Sequence, residues 1–353
     1  MKFGAVRIET CSWRYWLFLL LLITACCSTE SVFAKTKPVS PSNTFTSNSF
    51  DENAYTNVIL VTVRRVTATP DGVKISNSIP NENAYKAFLV SYSKSACIDT
   101  SFTLSKALKH LQKGRSTVVY VHGFGRKFEH ILGNAKRIAD RYNVNVIAFD
   151  WPSQCFTLGS AMSNIRHTTP QFSELLNCLI KEKQNGVEAL KNVTLLMHSL
   201  GNNYFIETLK SYPHTQLYMD TPLFSNIIFN SPAIKSKRHG FYIDCYTQSS
   251  QIYIIQNRKD KTLKIAEVFM LSPLLGLTLS ADISCKATYL DFSGIVNSSH
   301  TYFLGNSPEE YFHPEVFNIY KQLLNGLKVT PESGISYSLT RKKDVYEVGK
   351  GGM

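Results

Sequence analysis

The sequence predicts an α/β fold with a mostly parallel central sheet and helices on both faces of that sheet. From Asn57 onward, short β-branched and aliphatic runs alternate with amphipathic stretches at helical spacing. Most of these runs are apolar throughout, as strands buried on both faces should be. The chain has 353 residues, 44% of them hydrophobic, which suffices for one large packed domain and excludes a disordered chain or a disulfide-stapled mini-protein.

The predicted elements follow in order. The predicted strands are residues 58–66, 117–121, 146–149, 193–197, 226–229, 251–255 and 287–292. Apolar residues at helical spacing predict helices over 131–142 and 172–180, and Pro314 is expected to begin a last helix that reaches Leu327. The folded domain is therefore expected over 57–329, and the Gly- and Lys-rich residues 330–353 are expected to form a loose tail.

The first 34 residues have the pattern of an export signal. Three basic residues precede an apolar run over 15–23 that is too short to span a bilayer. Two processing sites compete. Residues 23–26 resemble a bacterial lipobox, in which Cys26 would be acylated and tether the protein to a membrane, whereas residues 32–34 fit ordinary signal cleavage. Either site predicts export to the bacterial cell envelope, lipid-anchored or periplasmic, or secretion, with residues 35–56 as a flexible tether.

The net charge limits the partners that we expect, and the cysteine content limits the number of disulfides. Thirty-eight Lys and Arg against 26 Asp and Glu give a net charge of +12, but the basic residues are scattered and lie in no nucleic-acid motif, so we expect no specific nucleic-acid partner. The folded part contains an odd set of cysteines, which in an oxidising compartment allows up to two disulfides of undetermined pairing. These cysteines are Cys97, Cys155, Cys178, Cys245 and Cys285.

Ser199 stands at a junction that predicts a nucleophile. The predicted strand 193–197 leads into His198-Ser199-Leu200-Gly201, after which a helical pattern resumes. At such a sharp turn the backbones of strand and helix approach closely, so a small residue such as Gly201 is needed, and the Ser hydroxyl is held above the sheet. Met197 occupies a place where such turns often have glycine, and its bulk could distort the turn. The alternative is a Ser that caps a helix N-terminus.

A second turn flanked by glycines follows the predicted strand 117–121, in the sequence His122-Gly123-Phe124-Gly125. Such a turn can direct a backbone N–H group at the carbonyl oxygen of a substrate. Together with the N–H of Leu200, the N–H of Phe124 would form an oxyanion hole. The alternative is an ordinary strand-to-helix loop that uses glycine for a positive φ.

A Ser nucleophile needs a His to take its proton and an acid to orient that His. The chain order Ser, acid, His leaves three histidines as candidates for the base: His239, His300 and His313. His300 is preferred because its loop follows the late predicted strand 287–292 and can return over the carboxyl edge of the sheet.

Asp260 is the preferred acid because it lies in the loop after the predicted strand 251–255, at the same edge of the sheet. The alternative acids are Asp244, Asp282 and Asp291. Since Lys and Arg adjoin Asp260, an ordinary surface ion pair is the alternative role for this carboxylate.

At these residues the chain resembles the α/β-hydrolase superfamily, esterase- or lipase-like, and most closely the bacterial α/β hydrolases of unknown function. The resemblance rests on residues 120–125, 148–153, 198–202, the loop at Asp260 and residues 299–303, in family order. It implies a triad of Ser199, Asp260 and His300. Residues 230–233, Asn-Ser-Pro-Ala, depart from the group, which commonly has an acid after the Pro.

These residues together predict an exported serine hydrolase that cleaves a carboxylic ester of a hydrophobic or acyl-bearing small molecule, without a metal or organic cofactor. A thioesterase, amidase or acyltransferase would use the same triad. From a different class, a non-catalytic envelope binding protein could retain this fold.

The apolar segment 268–279 is interpreted as a lid whose Phe269, Leu274 and Leu275 line an acyl pocket. It is too short to span a bilayer. The alternative is a segment buried against the sheet.

Overall fold

A computed structural model of the chain describes eleven stretches. These are residues 56–69, 72–81, 84–92, 96–99, 103–211, 222–246, 250–280, 283–305, 313–329, 337–339 and 345–348. The chain divides into two units, Met1–Asn43 and Thr44–Met353, and every described residue lies in the second unit. The predicted export signal over 1–34, the acylation of Cys26 and the predicted tether up to residue 55 therefore lie outside the described residues.

Strands come first along the described chain and then alternate with helices. The strands are β1 Thr56–Thr62, β2 Arg65–Thr69, β3 Gly72–Ser76, β4 Lys86–Tyr92, β5 Ala96–Asp99, β6 Thr117–Val121, β7 Asn145–Asp150, β8 Val193–His198, β9 Asn226–Asn230, β10 Gln251–Gln256, β11 Ala287–Asp291, β12 Tyr337–Leu339 and β13 Val345–Val348. The helices are α1 Leu104–Leu108, α2 Phe128–Tyr142, α3 Leu158–Gln184, α4 Asn203–Ser211, α5 His239–Asp244, α6 Lys261–Met270 and α7 Pro314–Leu324. In this part of the chain no helix combines the length and the apolar character needed to cross a membrane.

Most of the described strands form one sheet, in the order β12-β13-β11-β10-β9-β8-β6-β7-β1-β4-β5. All neighbours from β13 to β1 are parallel, while β12, β4 and β5 each pair antiparallel with the strand beside them. Strands β2 and β3 form a separate hairpin. Because parallel strands end at the same edge, the loops after β6, β8, β10 and β11 meet at the carboxyl edge of the sheet.

Both faces of the sheet are covered by helices. Alternate side chains of β1 enter different cores, Ile59 and Val61 on one face and Val58 and Leu60 on the other. The first core contains the apolar residues of α1, α3 and α4, and the second contains those of α2 and α7. The predicted α/β fold, with a mostly parallel sheet between two helical layers, is confirmed.

The single strand predicted over 58–66 is wrong, because the chain leaves the sheet after Thr62. Arg64 interrupts the run, and its side chain turns inward to pair with the buried carboxylate of Asp150. The following residues form β2, which pairs with β3 rather than with the main sheet. The ion pair of Arg64 with the buried Asp150 therefore ends strand β1, although the residues that follow have high strand propensity.

The loose tail predicted over 330–353 is wrong for its two strands. Strand β13 pairs in parallel with β11, and β12 pairs antiparallel with β13. Val345 and Val348 are buried in the two cores. Burial of these two valines outweighs the polar composition of the surrounding sequence, which indicated no packed structure.

Candidate active site

Ser199 lies directly after β8, at the start of a short 3-10 turn, Ser199–Asn202, that leads into α4. Its φ is +54°, in the left-handed region that costs energy for a residue with a Cβ. The predicted strand, sharp turn and helix are thus present. Met197 is buried within β8, so its bulk points into the core and does not prevent the turn.

The turn at Ser199 packs on the turn after β6 through glycines. A Cβ on Gly201 would overlap the carbonyl oxygen of His122 and lie 2.9 Å from that of Val121. A Cβ on Gly123 would lie 2.9 Å from the Cβ of Ser199. The backbones at the ends of β6 and β8 therefore approach too closely for any other residue at these two positions.

His300 and Asp260 are brought together at the carboxyl edge of the sheet. The Nδ1–H of His300 donates a hydrogen bond of 2.6 Å to Oδ2 of Asp260, whose side chain is fully buried. The other oxygen, Oδ1, accepts the backbone N–H of Leu263 at 2.9 Å, which makes Asp260 the N-cap of α6. The helix N-terminus and His300 thus hold one carboxylate from both sides.

Asn257 fastens the loop of the acid to the loop of the base. It is fully buried at the end of β10, and its Nδ2 donates to the backbone oxygens of Asn297 and Ser299 at 2.9 Å each. Asn257 was not predicted as a site residue. Its only signal was its place directly after a strand of the sheet, three residues before the preferred acid.

Three of the alternative acids and bases, His239, Asp244 and Asp291, have other partners. His239 is buried, with Nδ1 bonded to the oxygen of Ser236 and Nε2 to the hydroxyl of Tyr289. His313 is the residue before α7. Asp244 accepts from Ser284, Asp291 pairs with Arg258, and Asp282 lies outside the described residues. Of the carboxylates in the described part of the chain, only Asp260 bonds to a candidate base.

His198 links the nucleophile position to the base. Its Nε2–H donates to the backbone oxygen of His300 at 3.1 Å, and the two ring centroids are 4.5 Å apart. Burial, together with the charge that His300 can carry, holds the pKa of His198 well below its ordinary value. His198 is therefore neutral, with its proton on Nε2. Sequence reasoning excluded it as the base but missed this contact.

Two backbone N–H groups beside Ser199 are available as donors. Among the described backbone–backbone bonds outside helices and strands, none is donated by Phe124, whereas the next amide, that of Gly125, donates to Ser153. Leu200 is the second residue of the 3-10 turn, and the first N–H groups of a helix have no acceptor within it. Across the same part of the chain the Ser199 hydroxyl has no hydrogen bond to His300. Such contacts are often long before substrate binds.

A buried ion pair lies beneath the turn that carries Phe124. The Nε–H of Arg64 donates to Oδ1 of Asp150 at 2.7 Å, and the hydroxyl of Thr62 donates to Oδ2 at 2.7 Å. Asp150 is fully buried and Arg64 is 3% exposed. Although burial alone would raise the pKa of Asp150, the charge of Arg64 lowers it below its ordinary value. The pair is therefore ionised at neutral pH.

His122 and Arg64 connect this ion pair to the turn. His122 Nε2 accepts the backbone N–H of Trp151 at 3.2 Å, so its proton is on Nδ1, which donates to the oxygen of Gly123 at 2.8 Å. The Nη2 of Arg64 donates to the oxygen of Arg126 at 3.0 Å. Burial lowers the pKa of His122. Both ends of the 123–126 turn are thus fixed by side chains that sequence analysis did not assign.

The lid interpretation is wrong for Leu274 and Leu275. Both side chains are fully buried in the core, and the N–H of Leu275 donates to the oxygen of Ile234 at 2.8 Å. This part of the segment is packed in place, as the alternative interpretation stated. Phe269, by contrast, lies on α6 and is 44% exposed.

Cys155, Cys178, Cys245 and Cys285 are free thiols, and the side chain of Cys97 lies outside the described ones. Among the described residues, no three His, Cys, Asp or Glu side chains are grouped so that they could hold a metal ion.

Solved structures with a similar chain path include several hydrolases. A thermostable esterase from Pseudomonas putida ECU1011 is 12% identical, with 80% of this chain and 86% of that chain covered and a TM-score of 0.39. An esterase from Pyrobaculum calidifontis is 11% identical, with 67% and 80% covered and a TM-score of 0.37. A putative hydrolase of the α/β superfamily from Xanthomonas campestris pv. campestris is 13% identical, with 60% and 100% covered and a TM-score of 0.32. Likeness of this size carries no argument about activity.

No curated protein gives a significant sequence match. A family model described as an alpha/beta hydrolase of unknown function (DUF900) matches residues 99–276, half of the chain. The matched range contains Ser199, Asp260 and both turns described above, and ends before His300. The chain belongs to this family of α/β hydrolases.

Proposed function

We propose that this protein is a serine hydrolase that cleaves carboxylic esters through an acyl-enzyme on Ser199. The observation that carries the proposal is the hydrogen bond between His300 and Asp260, at the edge of the sheet where Ser199 takes a left-handed conformation. An acid that orients a His beside a strained Ser is the arrangement that activates a hydroxyl for acyl transfer.

The proposed reaction begins with proton transfer. Asp260 holds the proton of His300 on Nδ1, which leaves Nε2 free to take the proton of the Ser199 hydroxyl. The Ser oxygen bonds to the ester carbon, and the negative charge on the former carbonyl oxygen is stabilised by the N–H groups of Phe124 and Leu200. His300 then gives its proton to the leaving alcohol as the ester C–O bond breaks.

The second half of the reaction repeats these steps with water. His300 takes a proton from water, the resulting hydroxide attacks the acyl carbon, and the proton returns to Ser199 as its bond to the acyl group breaks. Free carboxylic acid is released. His198 and Asn257 act as positioning residues in this scheme, because they hold the loop of His300 without touching the reacting atoms.

The substrate that we propose is a hydrophobic or acyl-bearing small molecule. Helix α6 begins directly after Asp260 and carries partly exposed apolar side chains, Phe269 among them. The hydrocarbon chain attached to the ester carbonyl carbon can contact such side chains favourably.

The test is hydrolysis of p-nitrophenyl esters from acetate to palmitate. Ser199→Ala and His300→Gln are each expected to lower kcat/KM by about 10³-fold or more, because either change removes a step that the other cannot replace. His313→Gln and Asp291→Asn are the matched controls, and we expect them to retain activity within about threefold. An equal loss with His313→Gln would contradict the assignment of the base.

Labelling by a fluorophosphonate probe separates an enzyme from a binding protein. We expect the wild type to be labelled and Ser199→Ala to remain unlabelled while retaining its far-UV circular dichroism. A folded wild type that is neither labelled nor active on any ester would overturn the proposal in favour of a non-catalytic role. Acyl transfer to an added alcohol or amine would instead identify an acyltransferase.

We also propose that the protein is exported and acylated at Cys26, on the sequence pattern alone. The intact mass of the mature protein tests this. A mass that begins at Cys26 with added acyl groups is expected, and an unmodified start at Lys35 would contradict acylation.

A further inference from the structure

Helix α6 exposes apolar residues that a helix of a globular protein usually buries. Of its ten residues only Leu263 is buried. Val268 and Phe269 are 68% and 44% exposed, and Leu271, the next residue after the helix, is 90% exposed. Neighbouring exposed apolar side chains of this size mark a surface that contacts another apolar phase.

A second segment of the chain lies beside the end of α6. The backbone N–H of Ser236 donates to the oxygen of Pro273 at 2.8 Å, and Lys235 pairs with Leu274 in a β-bridge. These contacts place the residues before α5 beside the end of α6. Phe241, on α5, is 58% exposed. We refer to Val268, Phe269 and Leu271 as the apolar patch.

Positive charges predominate around the apolar patch. Exposed cations lie on α5, on α6 and on the residues that lead into these helices. Arg258 is one of them, but it is paired with Asp291 and Glu347. The others are Lys235, Lys237, Arg238, Lys259, Lys261 and Lys264. The carboxylates within 231–246 and 257–280 are less exposed than these cations, and only Asp244 and Glu267 reach the surface in part. Asp260 is buried, Asp244 accepts from Ser284, and Glu267 accepts the backbone N–H of Leu274. The surface therefore presents apolar side chains among an excess of positive charges.

We propose that the apolar patch and its surrounding cations are a docking surface for an anionic phospholipid membrane. Apolar side chains of such a helix enter the boundary between headgroups and acyl chains, while Lys and Arg contact the anionic headgroups. A second copy of this chain is disfavoured as the occupant, because it would bring two sets of cations together. Since α6 begins directly after Asp260, docking would hold the candidate active site at the lipid surface.

The proposal concerns binding and does not rest on the proposed function, so it is tested in the full-length Ser199→Ala protein. Vesicle flotation compares phosphatidylcholine alone with phosphatidylcholine that contains a quarter phosphatidylglycerol. We expect affinity to be about tenfold higher for the anionic vesicles and to fall as salt is added. All variants also carry Cys26→Ser, so that no acyl group at the N-terminus contributes to vesicle binding.

Two sets of variants test the two components. We expect vesicle binding to weaken about tenfold or more in the triple variant Val268→Ser, Phe269→Ser and Leu271→Ser. The matched control, Phe156→Ser with Leu327→Ser, changes exposed apolar residues elsewhere on the protein, and we expect its binding to equal that of the wild type. Each variant is first shown to retain the wild-type Tm and circular dichroism.

For the charges, Lys261→Gln with Lys264→Gln is expected to remove most of the preference for anionic vesicles. Lys106→Gln with Lys109→Gln, on and beside α1, is the matched control. Equal vesicle binding by wild type and folded patch variants would overturn the proposal. So would a concentration-dependent dimer in gel filtration that the patch variants abolish, or a failure of the wild type to bind anionic vesicles.

Discussion

The buried pair of Arg64 and Asp150 provides the most quantitative test of this structure. Asp150→Asn keeps the shape of the side chain but removes its charge, and so leaves the guanidinium of Arg64 buried without a counter-ion. Breaking a buried ion pair by removal of one partner costs about 3–5 kcal/mol. Because the Asn oxygen can still accept one of the two 2.7 Å hydrogen bonds from Arg64 and Thr62, we expect the lower end, about 3 kcal/mol of unfolding free energy.

Urea unfolding followed by far-UV circular dichroism measures this loss. The double variant Arg64→Met with Asp150→Leu removes both charges, and we expect it to be more stable than Asp150→Asn despite carrying more changes. Lys210→Gln is the control, since it breaks an ion pair that is exposed at the lysine and should cost less than about 1 kcal/mol.

A loss below about 1 kcal/mol for Asp150→Asn would refute the argument that the charge of Arg64 needs Asp150. The argument would also be refuted if the double variant lost as much unfolding free energy as Arg64→Met and Asp150→Leu lose in sum when each is made alone. If the stability falls as expected, kcat on p-nitrophenyl acetate is expected to fall as well, because Arg64 and His122 hold the turn that carries Phe124.

Three further predictions concern the candidate site. Gly201→Ala would place a Cβ against the oxygen of His122, and we expect it to lower the free energy of unfolding in urea by about 1–3 kcal/mol. The control is Gly133→Ala, in an open position of α2, which should be neutral or stabilising by up to about 1 kcal/mol in the same measurement. Burial lowers the pKa values of His122 and His198, so the unfolded chain binds more protons than the folded chain. The free energy of unfolding should therefore be highest above about pH 7 and should fall below about pH 6.5, by up to about 1.4 kcal/mol per pH unit for each histidine. A free energy of unfolding in urea that does not change from about pH 8 to 5 would contradict this. Asp260→Asn should lower kcat about 10⁴-fold in the ester assay, and a loss below about tenfold would exclude it as the orienting acid.

The core of the fold and the catalytic candidates were predictable because they follow from regular patterns. Parallel strands buried on both faces are continuous apolar runs, and strands β6, β8, β9, β10 and β11 appear within about a residue of their predicted limits. Since the carboxyl ends of such strands meet at one edge, chain order alone brought Ser199, Asp260 and His300 to the same region.

What sequence reasoning missed depends on contacts between distant residues. Nothing local to Arg64 indicates that its partner is Asp150, 86 residues later, or that Asn257 bonds to the loop of His300. Periodicity also cannot distinguish an apolar segment that is buried from one that is exposed. Leu274 and Phe269 belong to the same apolar run, yet only Leu274 lies in the core.

The close contact of the two glycine turns divides the candidate site into two mechanical halves. Ser199 and its neighbouring N–H groups are packed as one unit, because Gly201 and Gly123 leave no space between the ends of β6 and β8. Asp260 and His300 form the other half, joined by Asn257, and the backbone oxygen of His300 accepts a bond from His198. Strand β9, which pairs with both β8 and β10, connects the strands that carry the two halves. On warming, the contacts between the loops should be lost before the sheet unfolds, so that activity is lost while the sheet is still intact.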